Sequence, residues 1–147
     1  MMELSEVLNV SKEQFFNQLL YSVQMEIQDV TKQKINIEDI TSGFSYRKHM
    51  KTKAKTSGDV KVIIDKVIKN ELYRMSISTT RGNTIVEYHI KELDSNQIEV
   101  RYLENFESDK KSMGWNYKLM SFFYVKKGKK RISEMLKSME TYILENQ

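Results

Sequence analysis

Residues 72–107 read LYRMSISTTRGNTIVEYHIKELDSNQIEVRYLENFE, and a side-chain period of two runs through nearly all of them. Tyr73, Met75 and Ile77 stand against Arg74, Ser76 and Ser78, and Val86, Tyr88 and Ile90 against Glu87, His89 and Lys91. Ile98, Val100, Tyr102 and Phe106 then oppose Glu99, Arg101 and Asn105. Successive side chains of a strand point to opposite faces, so each run has one apolar side and one wet side. Between the runs, TRGN sets Gly82 where a tight reversal needs positive φ, and DSN marks a second turn. Strands joined in this way form an antiparallel meander with one face to bury.

Toward the N-terminus the same period continues. A turn around Lys69-Asn70-Glu71 precedes LYRMSIST, Val60, Val62 and Ile64 lie on the strand before it, and FSYRKHMK sets Phe44, Tyr46 and Met50 against Ser45, Arg47 and His49. Before Gly43 the period is 3.6. Ser11 with Gln14 three residues later makes a capping box, and Val10 with Phe15 makes the hydrophobic staple that sets the entry angle. Phe16, Leu20, Val23, Ile27 and Val30 continue one stripe, which predicts a helix over 12–31. NIEDI predicts a short helical piece capped by Asn36 and halted near Gly43. Met2, Leu4, Leu8 and Val10, interrupted by Glu6, predict a first strand.

Toward the C-terminus the period returns to 3.6. Trp115, Leu119, Phe122, Val125, Ile132, Leu136, Met139 and Ile143 keep one stripe, broken only by KKGKKR at 126–131. A glycine inside a helix costs about 1 kcal/mol relative to alanine, so Gly128 reads as a bend or as the boundary between a lead-in helix and the main one. The order is then strand, helix, five-strand meander, long helix: an α+β fold with about six antiparallel strands. A twisted sheet of that size curls, and a long helix laid in the curl leaves room at its ends.

The totals agree with one domain over residues 1–147, with 39% hydrophobic and 30% charged residues. A chain of this length buries roughly 68–70% of its unfolded surface. No apolar run approaches the ~18 residues of a membrane span. MMELSEVLNV lacks the basic and apolar regions of a secretory signal. With no cysteine there is no disulfide, thiolate metal site or cysteine nucleophile, and the expected location is the cytoplasm. The net charge of +4 is interspersed with acidic residues over most of the chain. His49 and His89 are the two histidines, both on the wet face and without metal-ligand spacing, so no metal and no cofactor is expected. Neither a G-x-S-x-G elbow, a Walker A loop nor a dinucleotide fingerprint is present.

ELSEVLNVSKEQFFNQLLYSV resembles the opening of the START-like, or SRPBCC, helix-grip superfamily, a first strand running into a capped helix with aromatics in its first turn. GFSYRKHM through RYLENFES resembles that superfamily's meander, and RISEMLKSMETYI its final helix. The pairing of SKEQFFNQLLYSV with SFFYVKKGKKRISEMLKSMETYI is similar to an uncharacterised family of small proteins from low-GC Gram-positive bacteria, which carries no assigned activity. The superfamily places a further strand before the last helix, but ESDKKSMGWNYK alternates little, which points to a six-strand version. The resemblance implies a helix-grip fold, a curved sheet wrapped around a long C-terminal helix. It also implies a pocket for a small hydrophobic or amphipathic molecule.

Candidate lining residues follow from the strand faces. Glu6, Lys48, Lys66, Thr79 and Glu104 are the polar exceptions on the apolar side, and a few polar groups in an apolar cavity orient an amphipathic ligand. The resemblance implies a first strand lying between the second and the last, which would bring Glu6, Lys48 and Glu104 together. Two carboxylates beside one ammonium would suit acid–base chemistry. The structural alternative, preferred here, is that a bulge or shifted register sends such residues to solvent. Tyr46, Tyr73, Tyr88 and Tyr102 share the apolar side, where each offers an apolar body and a polar tip. Met75, Ile77, Phe122, Met135 and Met139 complete the expected wall, and methionine fills ordinary cores as readily as it lines cavities. KKGKKR reads first as the solvated back of the last helix, second as a foot on an anionic membrane surface, and third as a nucleic-acid patch; neither stable membrane insertion nor nucleic acid is expected. The expected function is non-enzymatic ligand binding, with a cyclase- or hydrolase-like enzyme using Glu6 and Glu104 as the alternative.

Overall fold

The structure is a computed structural model that describes the backbone of residues 1–51, 57–80, 82–108 and 115–146, and the side chains of 1–49, 58–80, 82–107 and 125–146. The chain forms β1 (Met2–Leu8), α1 (Lys12–Thr31), a single 3-10 turn (Ile37–Asp39), β2 (Ser45–Lys51), β3 (Ser57–Ile68), β4 (Leu72–Thr79), β5 (Gly82–Asp94), β6 (Gln97–Ser108) and α2 (Trp115–Glu145). The six strands make one curved antiparallel sheet in the order β1-β6-β5-β4-β3-β2. This is the expected α+β helix-grip architecture. Half of ESDKKSMGWNYK, residues 109–114, lies outside the described residues.

One topological expectation is corrected. β1 pairs with β6, as the resemblance implies, but β2 lies at the opposite end of the strand order and pairs with β3. Among the described residues no ladder joins β1 to β2.

Local chemistry explains each boundary. Ser11 has extended φ and ψ, its hydroxyl accepts from the Gln14 N–H at 3.1 Å, and the Gln14 Oε1 accepts from the Ser11 N–H at 2.9 Å. Two otherwise orphaned donors are thereby satisfied, which starts α1 at Lys12. The helix ends where Lys32 turns left-handed and its N–H closes on the Gln28 carbonyl at 3.0 Å. Between β3 and β4 the turn places Asn70 at φ 64°, and between β4 and β5 Gly82 takes φ 145°. Both are conformations that ordinary side chains disfavour.

β3 contains a bulge: Ile64 pairs with Met75 and Lys66 with Arg74, so Asp65 is an extra residue. The extra residue inverts the alternation beyond it. Lys66, expected on the apolar side, is exposed, while Val67 packs against the core in its place.

α2 runs through Gly128 unbroken, so the expected helix boundary there is also corrected. Gly128 is buried, and a Cβ built on it would sit 2.7 Å from the Met2 Sδ. The glycine lets helix backbone and strand approach closely. From this contact α2 follows β1. Ser133 donates to the Glu6 carboxylate, Lys137 Nζ donates to the Val7 carbonyl at 3.2 Å, and Glu140 accepts from the Asn9 N–H at 2.5 Å.

The core lies between the inner face of the sheet and the two helices. Leu8, Ile64, Ile98, Val100 and Leu136 are fully enclosed, together with Phe15 and Phe16 from α1. The outer face is crossed by ion pairs such as Arg101–Glu3 at 3.6 Å and Arg74–Glu87 at 3.9 Å. His49 and His89 stand on that face, beside Asp59 and Glu87 respectively.

Candidate functional site

Strand register builds a row of phenols across the inner face. Tyr73, Tyr88 and Tyr102 occupy directly opposed positions on β4, β5 and β6. Their rings meet edge to face, with centroids 6.2 Å apart between Tyr73 and Tyr88 and 5.1 Å between Tyr88 and Tyr102. Such pairs are worth about 0.5–1.5 kcal/mol beyond the area they bury. Tyr46 on β2 shares the inner face and interacts electrostatically with Tyr73, although its own register partner is Val62 on β3.

A carboxylate marks each end. At one, Glu26 of α1 accepts from the Tyr46 hydroxyl and, at 2.7 Å, from Lys48 Nζ. Burial would raise the Glu26 pKa, but the Lys48 and Tyr46 hydrogen bonds and the Lys48 charge together hold it below the usual carboxylate value. At the other end, the Tyr102 hydroxyl donates to Glu104 Oε1 at 2.8 Å. Burial, then these carboxylates, push the phenols up. Tyr88 reaches about 12, and Tyr46, Tyr73 and Tyr102 rise further. All four are neutral donors at physiological pH.

In the middle of the row, among the described residues, the Tyr73 hydroxyl reaches the Met75 thioether at 4.0 Å, a weak acceptor. Tyr88, 8% exposed, meets Tyr73 and Tyr102 through its ring. The one fully enclosed side-chain nitrogen or oxygen without a partner among the described residues is Asn70 Oδ1.

The expected lining residues sort as follows. Tyr46, Tyr88 and Tyr102 belong to the row, and Met75 and Ile77 pack beside it as half-buried core residues. Met135 and Met139 are half-buried on α2. The Phe122 side chain lies outside the described residues. Glu6, Lys48 and Glu104 do face inward, but they do not converge. Glu6 is held by Ser133, with Lys137 at 3.7 Å, Lys48 is held by Glu26, and Glu104 accepts from Tyr102. The strand order is the reason: Glu6 pairs with Val100, four residues or about 13 Å along β6 from Glu104, and Lys48 stands on the far strand. The premise of a two-carboxylate acid–base pair is therefore removed. Thr79 faces inward too, and its hydroxyl donates to the Gly82 carbonyl at 3.0 Å.

Sequence reasoning missed Glu26. The signal was present, since Glu26 lies seven residues after Leu19 and three after Val23, on the edge of the apolar stripe of α1. A carboxylate there needs a partner from the element it packs against.

Two clefts bordered by described residues lie away from the middle of α2. One, of about 740 Å³, opens between the end of α1, the following connection and the start of β2, with Ile27, Ile35, Phe44 and Tyr46 as its apolar side. Tyr46 joins this cleft to the phenol row. The second, of about 570 Å³, lies between α1 and the last turns of α2, lined by Gln14, Tyr21, Tyr142 and Asn146 among others. Among the described residues no three His, Asp or Glu side chains gather as metal ligands, and no helix is long and apolar enough to cross a membrane.

Comparison with known proteins identifies the family. The profile of the domain of unknown function DUF3284 matches residues 2–125, and the chain belongs to that family. No curated protein matches. Among solved structures, Ara h 8.0201 shares 13% identity, with 98% of this chain and 97% of that one covered and a TM-score of 0.63. A protein of unknown function from Staphylococcus aureus gives 13% identity, 99% and 93% coverage and a TM-score of 0.63. A START superfamily protein from Mycobacterium smegmatis gives 10% identity, 99% and 98% coverage and a TM-score of 0.61. At these identities the likeness is one of fold, and it is the helix-grip fold that the resemblance of the sequence implies.

Proposed function

We propose that this member of the DUF3284 family is a binding protein, without catalytic activity of its own, for a small molecule with an apolar body and at least one hydrogen-bonding group. The molecule lies against Tyr73, Tyr88 and Tyr102 on the inner face of the sheet, with Met75, Ile77, Met135 and Met139 as adaptable apolar surroundings. The observation that carries this reading is the row of phenols in register across an otherwise apolar inner face, with the weakly accepting Met75 thioether beside the Tyr73 hydroxyl. Each phenol offers an apolar body and a neutral donor at its tip, the pairing that orients an amphipathic molecule. The fold likeness adds an architecture in which sheet and helix enclose space, and the chemistry rests on the phenols. The proposed setting is the cytoplasm.

Replacing Tyr88 by Phe separates this reading from its alternative. Native mass spectrometry of protein purified from its own cells is expected to show an adduct on the wild type, and Y88F is expected to retain about tenfold less of it. Urea unfolding of Y88F checks that the loss is one of binding and not of folding. If Y88F and wild type carry the same adduct, or neither carries one, the phenol row holds no ligand and the binding function is lost with it.

A further inference from the structure

We infer that the segment 126–131 on α2 is a docking surface for an anionic membrane. At 100° per residue, Lys126, Lys127, Lys129, Lys130 and Arg131 fill an arc of about 200° on the side of α2 opposite Gly128 and Ile132. Gly128 and Ile132 are buried, and all five cations are exposed. No acidic residue interrupts the five, and none of them forms an ion pair with a described residue. Interspersed charge, the rule for the rest of the chain, fails here.

The same end of the molecule exposes an apolar side chain. Gly128 packs on Met2, Met2 pairs with Glu104, and Phe106 lies two residues further along β6 with 49% of its surface exposed. Exposed cations at an end that also exposes an aromatic suit the interface of a bilayer, where each basic residue near an anionic leaflet contributes about fivefold in affinity. Four of the five are lysines, compact point charges without the fork that reads a fixed phosphate or carboxylate pair. A fluid surface with mobile negative headgroups matches that better than a single rigid partner. Single-stranded nucleic acid would require several exposed aromatics in a row as a stacking platform, and among the described residues Phe106 alone is exposed at this end.

The test is co-sedimentation of the intact protein with vesicles of phosphatidylcholine alone and of phosphatidylcholine mixed with phosphatidylglycerol. Binding is expected on the mixed vesicles only, falling as sodium chloride is raised. Each of K126Q, K127Q, K129Q and K130Q should weaken it about fivefold, and F106S should weaken it without changing the salt slope. These positions are exposed, and circular dichroism checks that the variants fold. Equal binding to both vesicle types, no salt dependence, or variants that bind like wild type would overturn the proposal. So would tight binding to a DNA duplex or an acidic protein by a chain that ignores the mixed vesicles.

Discussion

Glu26 is a helical carboxylate whose value depends on two residues twenty or more positions away. It accepts from Tyr46 and Lys48, and their combined effect outweighs burial and holds its pKa below 4.5. A carboxyl whose folded pKa lies below its unfolded one stabilises the fold fully above the unfolded value, and this stabilisation is lost as pH falls through the folded value. Urea unfolding of wild type and E26Q should therefore differ by about 1 kcal/mol at neutral pH, a hydrogen-bonded charge discounted for its partial exposure. The difference should shrink and vanish as pH falls through the lowered Glu26 pKa. A gap that persists in acid would mean that packing, rather than the ion pair, holds this junction. The inner faces of Tyr46, Tyr88 and Tyr102 were legible from alternation alone, because their strands keep register around these residues. Lys66 was not, since one extra residue at Asp65 reverses everything after it and leaves no mark in composition. Glu26 was missed because its partners come from β2, which a local reading of α1 does not see.

At the scale of elements, α1 and the meander could be read from their own residues, since caps, staple and turns are local chemistry. The unbroken course of α2 could not. Helix propensity argues against glycine at 128, and only the neighbouring strand explains it: Met2 occupies the space that a side chain would need. G128V should lower stability by about 2 kcal/mol through overpacking and β-branching. Truncating Met2 should recover part of that loss, so G128V and M2A should couple non-additively in a double-mutant cycle read by urea denaturation. Additive effects would show that the helix and β1 are not in the contact described. The strand order belongs to this scale too. No periodicity says which edge β1 joins; the resemblance placed it beside both β2 and β6, and the sheet pairs it with β6 alone.

For the whole molecule, a sheet that buries one face beneath helices at both ends of the chain was legible because amphipathic elements in this order have few ways to cover themselves. The row of polar tips on the covered face was not legible, because side-chain placement there depends on register across three strands at once. The phenol row is the product of that register: Tyr73, Tyr88 and Tyr102 coincide only when both hairpins close as they do. A crystal structure of the protein purified from its own cells is the most direct measurement. Elongated density in contact with the Tyr88 hydroxyl, belonging to neither protein nor water, is the predicted result. An inner face filled by α2 side chains, with Tyr88 hydrogen-bonded to one of them, would contradict it.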